Sequence, residues 1–534
     1  MNAPRRPNAR LSFHSPKIPM RISTTSRSRE GSAARDMLAN ALVISAACCV
    51  FLGESAACQT SPARAVSGIE TVDSLVSAEF AKDSIGSITV GVIAGSQLVW
   101  TRSVGFADMK TRRLANRNTV YRIGSITKPF TAVMLMQLVA AGRVQLSDPV
   151  ERYLPEVKQI ASRPPGASPF TFLQLATMTA GLAREPDEAG PFWTGPVSAW
   201  ETKVLAALPH TSYTSFPGSE YSYSNIGYAI LGVALARVAH EPYTEWQRWR
   251  VFRPLGMERT QFEVDPMIAS DLAVGYELNG DGTLDDQTAA HEARDGRGYK
   301  VPNGAIFTTV DDLARFVSLE LGRGPDSVVA RSMLDEAFGG LVATDRSLES
   351  GYGLGFMAMS RDGYSYLGHS GSVAGYRAAM YYDRPRKLGV VVFRNVGGGK
   401  QNSDRLAVDI LSVLAAKKVA EIQADIDKRF KGQVASPGSE AAVRRLIEEL
   451  RIGKPNYELM SSDLARETRR QITHHEATIA KLGALQSLAF KGVGPAGPNI
   501  YLATFEKGSL EWRVWLNLDG SVDIFRYRDA SPPK

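Results

Sequence analysis

Ser125-Ile126-Thr127-Lys128 stands between a strand-like run, Thr119 to Ile123, and a long apolar segment with helical spacing. Residues three apart on a helix share a face, so a helix starting near Ser125 brings the Lys128 amine within reach of the Ser125 hydroxyl. The positive field of a helix N-terminus favours a developing alkoxide at the same place. Pro129 supports that start, because its missing N–H is harmless only in the first turn, where backbone donors lack intrahelical partners. Beyond it, Phe130, Val133, Met134 and Leu138 recur at helical spacing and predict a buried helix. A serine three residues before a lysine also arises by chance roughly once in a chain of this size. A plain surface helix start therefore stays open until other residues bear on it.

The 534 residues are 44% hydrophobic and 22% charged, enough to bury a large core and form more than one domain. Residues 1–57 carry eight Lys and Arg against three Asp and Glu, so of the formal charge of +7 a net +5 lies there and +2 in everything after. A body so nearly neutral, with no basic stripe interleaved with aromatics, argues against nucleic acid as a partner. Arg21, Arg27, Arg29 and Arg35 run into the apolar stretch Leu38 to Leu52 and then Ser55-Ala56-Ala57-Cys58. This order predicts a signal peptide over 1–57 and a secreted or periplasmic protein. The apolar stretch is short for a membrane span. The basic region is long, so a start at Met20 and an organelle transit peptide are alternatives. Cys48 and Cys49 fall in the signal and only Cys58 would survive, so neither an intramolecular disulfide nor a thiolate metal site is expected. Ala56-Ala57-Cys58 partly resembles a bacterial lipoprotein cleavage box. A lipid anchor at Cys58 is thus an alternative to simple cleavage, although Ser55 stands where that box prefers a larger apolar residue.

Residues 69–123 read as a short helix and then strands, with Ser87 to Ile93 and Leu98 to Phe106 joined across Ala94-Gly95-Ser96-Gln97 as a hairpin. Residues 124–320 read as helical segments and loops punctuated by Pro and Gly, and strands return in Leu354 to Met359, Tyr376 to Tyr382 and Gly389 to Phe393. An antiparallel sheet assembled from both ends of a domain, with a helical middle on one side, fits this order and gives an α+β class. Lys417 to Gly432 is charged and helical, and Ala435-Ser436-Pro437-Gly438-Ser439 punctuates it. Val443, Leu446, Ile447 and Leu450 then mark one amphipathic helix, and Ser461 to Leu482 a second. Leu510, Trp512, Val514 and Leu516 alternate with Glu511, Arg513, Trp515 and Asn517, and Asp519-Gly520 turns the chain into Val522 to Tyr527. The predicted organisation is a main domain over 69–416, a linker over 417–438 and a small C-terminal α+β domain over 439–534. His474 and His475 are adjacent and would point different ways on a helix, so they are expected to be solvated rather than to pair on a metal.

Two further clusters bear on Ser125. In Pro217-Gly218-Ser219-Glu220-Tyr221-Ser222-Tyr223-Ser224-Asn225 a turn delivers Tyr223 and Asn225 just before the apolar helix Ile226 to Val238. Two apart in an extended loop, they point the same way. A tyrosine serves as a base only if its pKa falls well below the free value near 10, and an ammonium at Lys128 would lower it. Asn225 would supply an amide for a substrate carbonyl or the lysine; the competing assignment is a half-buried aromatic and a helix N-cap. The other cluster is Gly368-His369-Ser370-Gly371-Ser372, ahead of a strand, where glycines let a substrate approach the backbone.

Ser125 to Lys128, Tyr223-Ser224-Asn225 and His369-Ser370-Gly371, in that order and at these separations, resemble the three motifs of the serine β-lactamase and penicillin-binding-protein superfamily, in its class C-like branch. Phe252-Arg253-Pro254-Leu255-Gly256-Met257, Pro302-Asn303-Gly304-Ala305-Ile306-Phe307-Thr308-Thr309, Asp311-Asp312-Leu313-Ala314 and Tyr352-Gly353-Leu354-Gly355 resemble further landmarks, and the likeness spans roughly residues 70–415. The resemblance implies a β-lactamase-like antiparallel sheet with a helical subdomain and no metal or cofactor. It implies Ser125 as nucleophile, Lys128 as its proton-transfer partner and Tyr223 as general base and later acid. Asn225, His369, Ser370, Gly371 and Ser372 would meet the substrate, with the N–H groups of Ser125 and Ser372 as oxyanion hole. The branch holds β-lactamases, D-alanyl-D-alanine carboxypeptidases, D-aminopeptidases and esterases. His369 stands where its β-lactamases usually carry lysine, and a mostly neutral histidine is a weaker carboxylate anchor. In Gln174 to Leu182, Met178 and Ala180 replace polar residues of a loop that commonly reads His-Thr-Ser-Gly-Leu, which leaves the local hydrogen bonding open. The expectation is an exported serine hydrolase acting on an ester or a D-amino-acid peptide, including peptidoglycan-derived ones. The alternatives are a β-lactamase and a non-catalytic cell-wall or partner-binding protein that kept the fold.

Overall fold

The computed structural model describes residues 68–530, apart from 189, 288–296, 340–341, 345–349, 362–363, 496 and 518–519. The segment read as a signal, with Cys48, Cys49 and Cys58, lies outside the described residues.

Nine antiparallel strands form the main sheet: β1 (Ser87–Ala94), β2 (Gln97–Asp108), β3 (Arg113–Leu114), β4 (Val342–Ala343), β5 (Ser350–Tyr352), β6 (Met357–Arg361), β7 (Tyr364–Val373), β8 (Tyr376–Asp383) and β9 (Leu388–Arg394). Their order is β3-β2-β1-β9-β8-β7-β6-β5-β4, so strands from the two ends of the domain meet where β1 pairs with β9. The β1–β2 hairpin turns through Gly95 and Ser96, and Gly95 takes φ +62, a value that suits glycine. Both faces of the sheet are covered. Val390 and Val392 pack with Val72 and Val76 of the helix Ile69–Ala81 and with Leu406, Ile410 and Leu411 of a later helix. Val391 and Phe393 join the opposite core with the helical middle of the chain. Double coverage explains why β9 is apolar from Leu388 to Phe393 instead of alternating.

The Ser125 segment enters that second core. Phe130, Val133, Met134 and Leu138 are all fully buried, as their spacing predicts, and Phe130 stacks on Phe316 with ring centres 3.7 Å apart. Removing a ring buried in this way costs about 3–5 kcal/mol, so the helix carrying Lys128 is held as a rigid platform.

Three readings change. The 30-residue helix Ser403–Gly432 starts at the Asn402 cap and runs through position 417, so the composition shift marks the emergence of one continuous helix from the sheet and not a break in the chain. The cluster around His369 lies inside β7, where a loop before a strand was expected. Its glycines and serines lower strand propensity, and pairing with β8 from Leu367↔Tyr382 to Val373↔Tyr376 overrides it. His475 is buried and 2.8 Å from the Tyr527 hydroxyl, while His474 is exposed, so only one of the pair is solvated. The C-terminal domain packs helices Ser439–Arg451 and Ser462–Ala480 on a four-stranded meander, with Trp512 fully buried beside Tyr527.

Candidate active site

Gly124, at φ +50, makes the sharp turn from strand to helix, and a 3-10 turn over Gly124–Ile126 leads into the helix Thr127–Ala140. Ser125 is partly exposed at this mouth, whereas Lys128, one turn on, is fully buried. Lys128 Nζ lies 3.0 Å from Ser125 Oγ, 2.7 Å from Asn225 Oδ1 and 3.2 Å from the Asn303 carbonyl oxygen. Burial holds this amine well below the ordinary lysine value; Glu185 opposes the shift, and Arg184 and Lys300 reinforce it. A neutral amine has two N–H bonds and one lone pair. Asn225 Oδ1 and the Asn303 carbonyl accept the two N–H groups, so the lone pair is left for the Ser125 hydroxyl.

Asn225 is available because it does not cap its helix. Ser224 Oγ accepts the Gly227 N–H at 2.9 Å and is the N-cap of the helix Asn225–Ala239. The Ser224 N–H meets Met178 Sδ at 3.3 Å, and the Ser222 N–H donates to the Met178 carbonyl at 2.8 Å. The methionine in the altered loop thus supplies a weak sulfur acceptor and a backbone anchor. Tyr223 is hydrogen-bonded to Ser125, with its ring centre 4.8 Å from Lys128 Nζ. Its phenol is pushed far above the ordinary tyrosine value by burial, which outweighs the hydrogen bond with Ser125 and the Arg184 charge. This corrects the expectation that an ammonium at Lys128 lowers Tyr223. Both groups are desolvated, which disfavours the ammonium of Lys128 and the phenolate of Tyr223.

The β7 segment closes the other side. A Cβ added to Gly371 would stand 1.9 Å from the Ile123 carbonyl oxygen and 3.3 Å from Ser125 N, and one on Gly124 would stand 2.9 Å from Ser372 N. Two glycines therefore let the Ser372 and Ser125 amides come side by side. Ser372 is exposed and Ser370 partly so, its hydroxyl bonded to Tyr381. His369 sits differently from a substrate contact. It is 1% exposed, with Nδ1 2.6 Å from the Ser370 carbonyl oxygen and Nε2 3.0 Å from the Tyr352 hydroxyl. Burial lowers the imidazole to about 3, so it is neutral, and both nitrogens are engaged inside the protein. Its place is a brace between β7 and Tyr352.

The structure brings Ser125, Lys128, Tyr223, Asn225 and the β7 residues together. Sequence reasoning missed the roles of Asn303, Tyr352 and Glu185. Asn303 and Tyr352 lie in landmark stretches that were recognised but given no chemistry. Glu185, three residues past the altered loop, accepts from Asn225 Nδ2 at 2.7 Å and from the Tyr299 hydroxyl, and no local pattern marks it.

The family model for Beta-lactamase matches residues 72–415. The chain belongs to the Beta-lactamase family. Within it the chain is similar to Beta-lactamase-like protein 4 of Dictyostelium discoideum, 28% identical over 67% of this chain and 64% of that protein. It is also 28% identical to D-alanyl-D-alanine-carboxypeptidase/endopeptidase AmpH of Escherichia coli (strain K12), over 48% of this chain and 66% of that protein. The chain thus spans just under two thirds of the length of these relatives. Its fold is similar to that of an octameric penicillin-binding protein homologue from Pyrococcus abyssi, with a TM-score of 0.55 at 21% identity over 86% of this chain and 89% of that one.

Proposed function

We propose that this Beta-lactamase family member is an exported serine hydrolase that forms an acyl-enzyme at Ser125 on an ester or a D-amino-acid amide or peptide. The observation that carries the reading is the fully buried Lys128, whose Nζ lies 3.0 Å from Ser125 Oγ while Asn225 Oδ1 and the Asn303 carbonyl oxygen take up its other contacts. Ser125 Oγ bonds to the acyl carbon as its proton passes to Lys128 Nζ, and the carbonyl electron pair moves onto oxygen beside the Ser125 and Ser372 N–H groups. On collapse Tyr223 gives its proton to the leaving group and recovers one from the Lys128 ammonium. Water then attacks the acyl-enzyme with the transfers reversed. A base is worth roughly 10²- to 10⁴-fold and each oxyanion donor about 10²- to 10³-fold. The resemblance implies Tyr223 as general base and later acid; of the two, a phenol held protonated suits the acid role better.

The neutral His369, engaged on both nitrogens, removes the cation that would hold a β-lactam carboxylate at this position, which favours ester or D-peptide substrates over efficient β-lactam turnover. Similarity to AmpH is consistent with a peptidoglycan-derived substrate. A fluorophosphonate probe tests the hydrolase reading: the wild type should label and Ser125→Ala should not. An unlabelled wild type would leave a fold-only binding protein. Parallel assays on a short aryl ester, a D-Ala-D-Ala peptide and a chromogenic cephalosporin then rank the substrate classes, and fastest turnover of the cephalosporin would overturn the preference stated here.

A further inference from the structure

The Lys128 lone pair faces Ser125 only while Asn225 presents its oxygen, and not its NH2 group, to the amine. The two ends of an amide are close in size, so something must choose between them. Asn225 Nδ2 points at Glu185 Oε1, 2.7 Å away. A carboxylate accepts hydrogen bonds and donates none. With the amide reversed, Asn225 Oδ1 would face a carboxylate oxygen with no hydrogen between them. Nδ2 would meanwhile donate to Lys128 and draw its lone pair away from Ser125. The carboxylate is itself fixed: its other oxygen accepts from Tyr299, which is fully buried and packs edge-on against Trp193 with ring centres 5.7 Å apart. The Asn225 backbone is pinned as well, its carbonyl accepting from Asn303 Nδ2 at 2.9 Å.

We propose that Glu185 is a positioning residue, whose acceptor-only side chain locks the Asn225 amide and so aims the Lys128 lone pair at the Ser125 hydroxyl. The proposal rests on the reading of Ser125 and Lys128 as nucleophile and base. The groups that face Lys128 besides Glu185 are Arg184, Lys300, Tyr223 at 4.8 Å and Tyr228 at 5.7 Å from ring centre to Nζ, and the neutral His369.

Glu185→Gln is the test, because glutamine keeps the shape but can offer Asn225 either a donor or an acceptor and so tolerates both orientations. On a short aryl ester kcat should fall on the order of 10- to 100-fold, a fraction of what a base contributes, with KM little changed. The acidic limb of the pH profile should move to lower pH, since Lys128 loses the Glu185 charge that favours its protonated form. Glu185→Asp, still acceptor-only, should restore the limb to near its wild-type position. A merely structural role would lower the fraction of enzyme that labels and leave the limb where it was, and that result overturns the proposal. So does wild-type kcat in Glu185→Gln. Should Glu185→Gln not fold, Glu185→Ala carries the same expected direction. The ¹³Cε titration of Lys128, assigned with Lys128→Arg, reads the same shift without turnover. A wild type that neither labels nor turns over therefore removes the hydrolase reading, while the Lys128 titration still decides the role of Glu185.

Discussion

Gly371→Ala isolates the contact between β7 and the Ser125 turn. The new methyl would stand 1.9 Å from the Ile123 carbonyl oxygen and 2.9 Å from its carbon, where carbon and oxygen in close contact keep about 3.3 Å. Both partners are backbone, so no side chain can swing aside, and the strand must part from the turn by roughly 1 Å or more. A misplacement of about 1 Å near the reacting atoms costs on the order of 10²-fold, and loss of one oxyanion donor about 10²- to 10³-fold. We expect kcat on a short aryl ester, per labelled site, to drop by about 10²- to 10³-fold, with a stability loss of about 1–3 kcal/mol typical of overpacking. Gly304→Ala is the control, since a Cβ there meets its nearest atom, the Gly124 carbonyl carbon, at 3.9 Å in ordinary contact. Stopped-flow turnover normalised to fluorophosphonate titre, with near-UV circular dichroism for the fold, gives the comparison. Gly371→Ala within about threefold of Gly304→Ala would refute the claim that the Ser125 and Ser372 amides work as an abutting pair.

Lys128→Met should abolish turnover and change how stability depends on pH. The folded lysine has a lowered pKa, so below the unfolded value near 10.4 the unfolded chain binds more protons than the folded one; this penalty fades as pH rises toward that value. Wild type should therefore gain stability relative to Lys128→Met as pH rises toward about 10 in urea melts, and parallel curves would contradict a lowered lysine pKa. His369, lowered to about 3, should show no ring titration by NMR between about pH 4 and 8. Because its folded pKa lies below the unfolded value near 6.5, it contributes a loss of stability as pH falls from about 6.5 toward about 3. An imidazole midpoint near 6.5 would restore it as a candidate substrate anchor.

The nucleophile segment was legible because its signals are local. Ser125 and Lys128 are one turn apart, Pro129 confines the helix start, and the apolar spacing after it needs nothing beyond sequence. The strand Gly508–Leu516 was legible for the same reason: its period-two alternation follows from one buried face. Signals failed where tertiary pairing overrode propensity. The Gly- and Ser-rich run around His369 is a strand only because β8 and β6 flank it.

What the sequence determined by itself was the family pattern, the order of its three motifs and the side chains available for chemistry. Their protonation was decided only by the fold, because burial acts through atoms far apart in the chain. Desolvation disfavours the charged forms of Lys128 and Tyr223, and His369 is spent on Tyr352 and its own strand. Tertiary structure likewise joined Asn303 and Glu185 to Ser125 through Lys128 and Asn225, across separations of 175 residues between Lys128 and Asn303 and 40 between Glu185 and Asn225. No spacing rule connects such positions, since a hydrogen bond depends on where the folded backbone places its partners and not on how many residues lie between them.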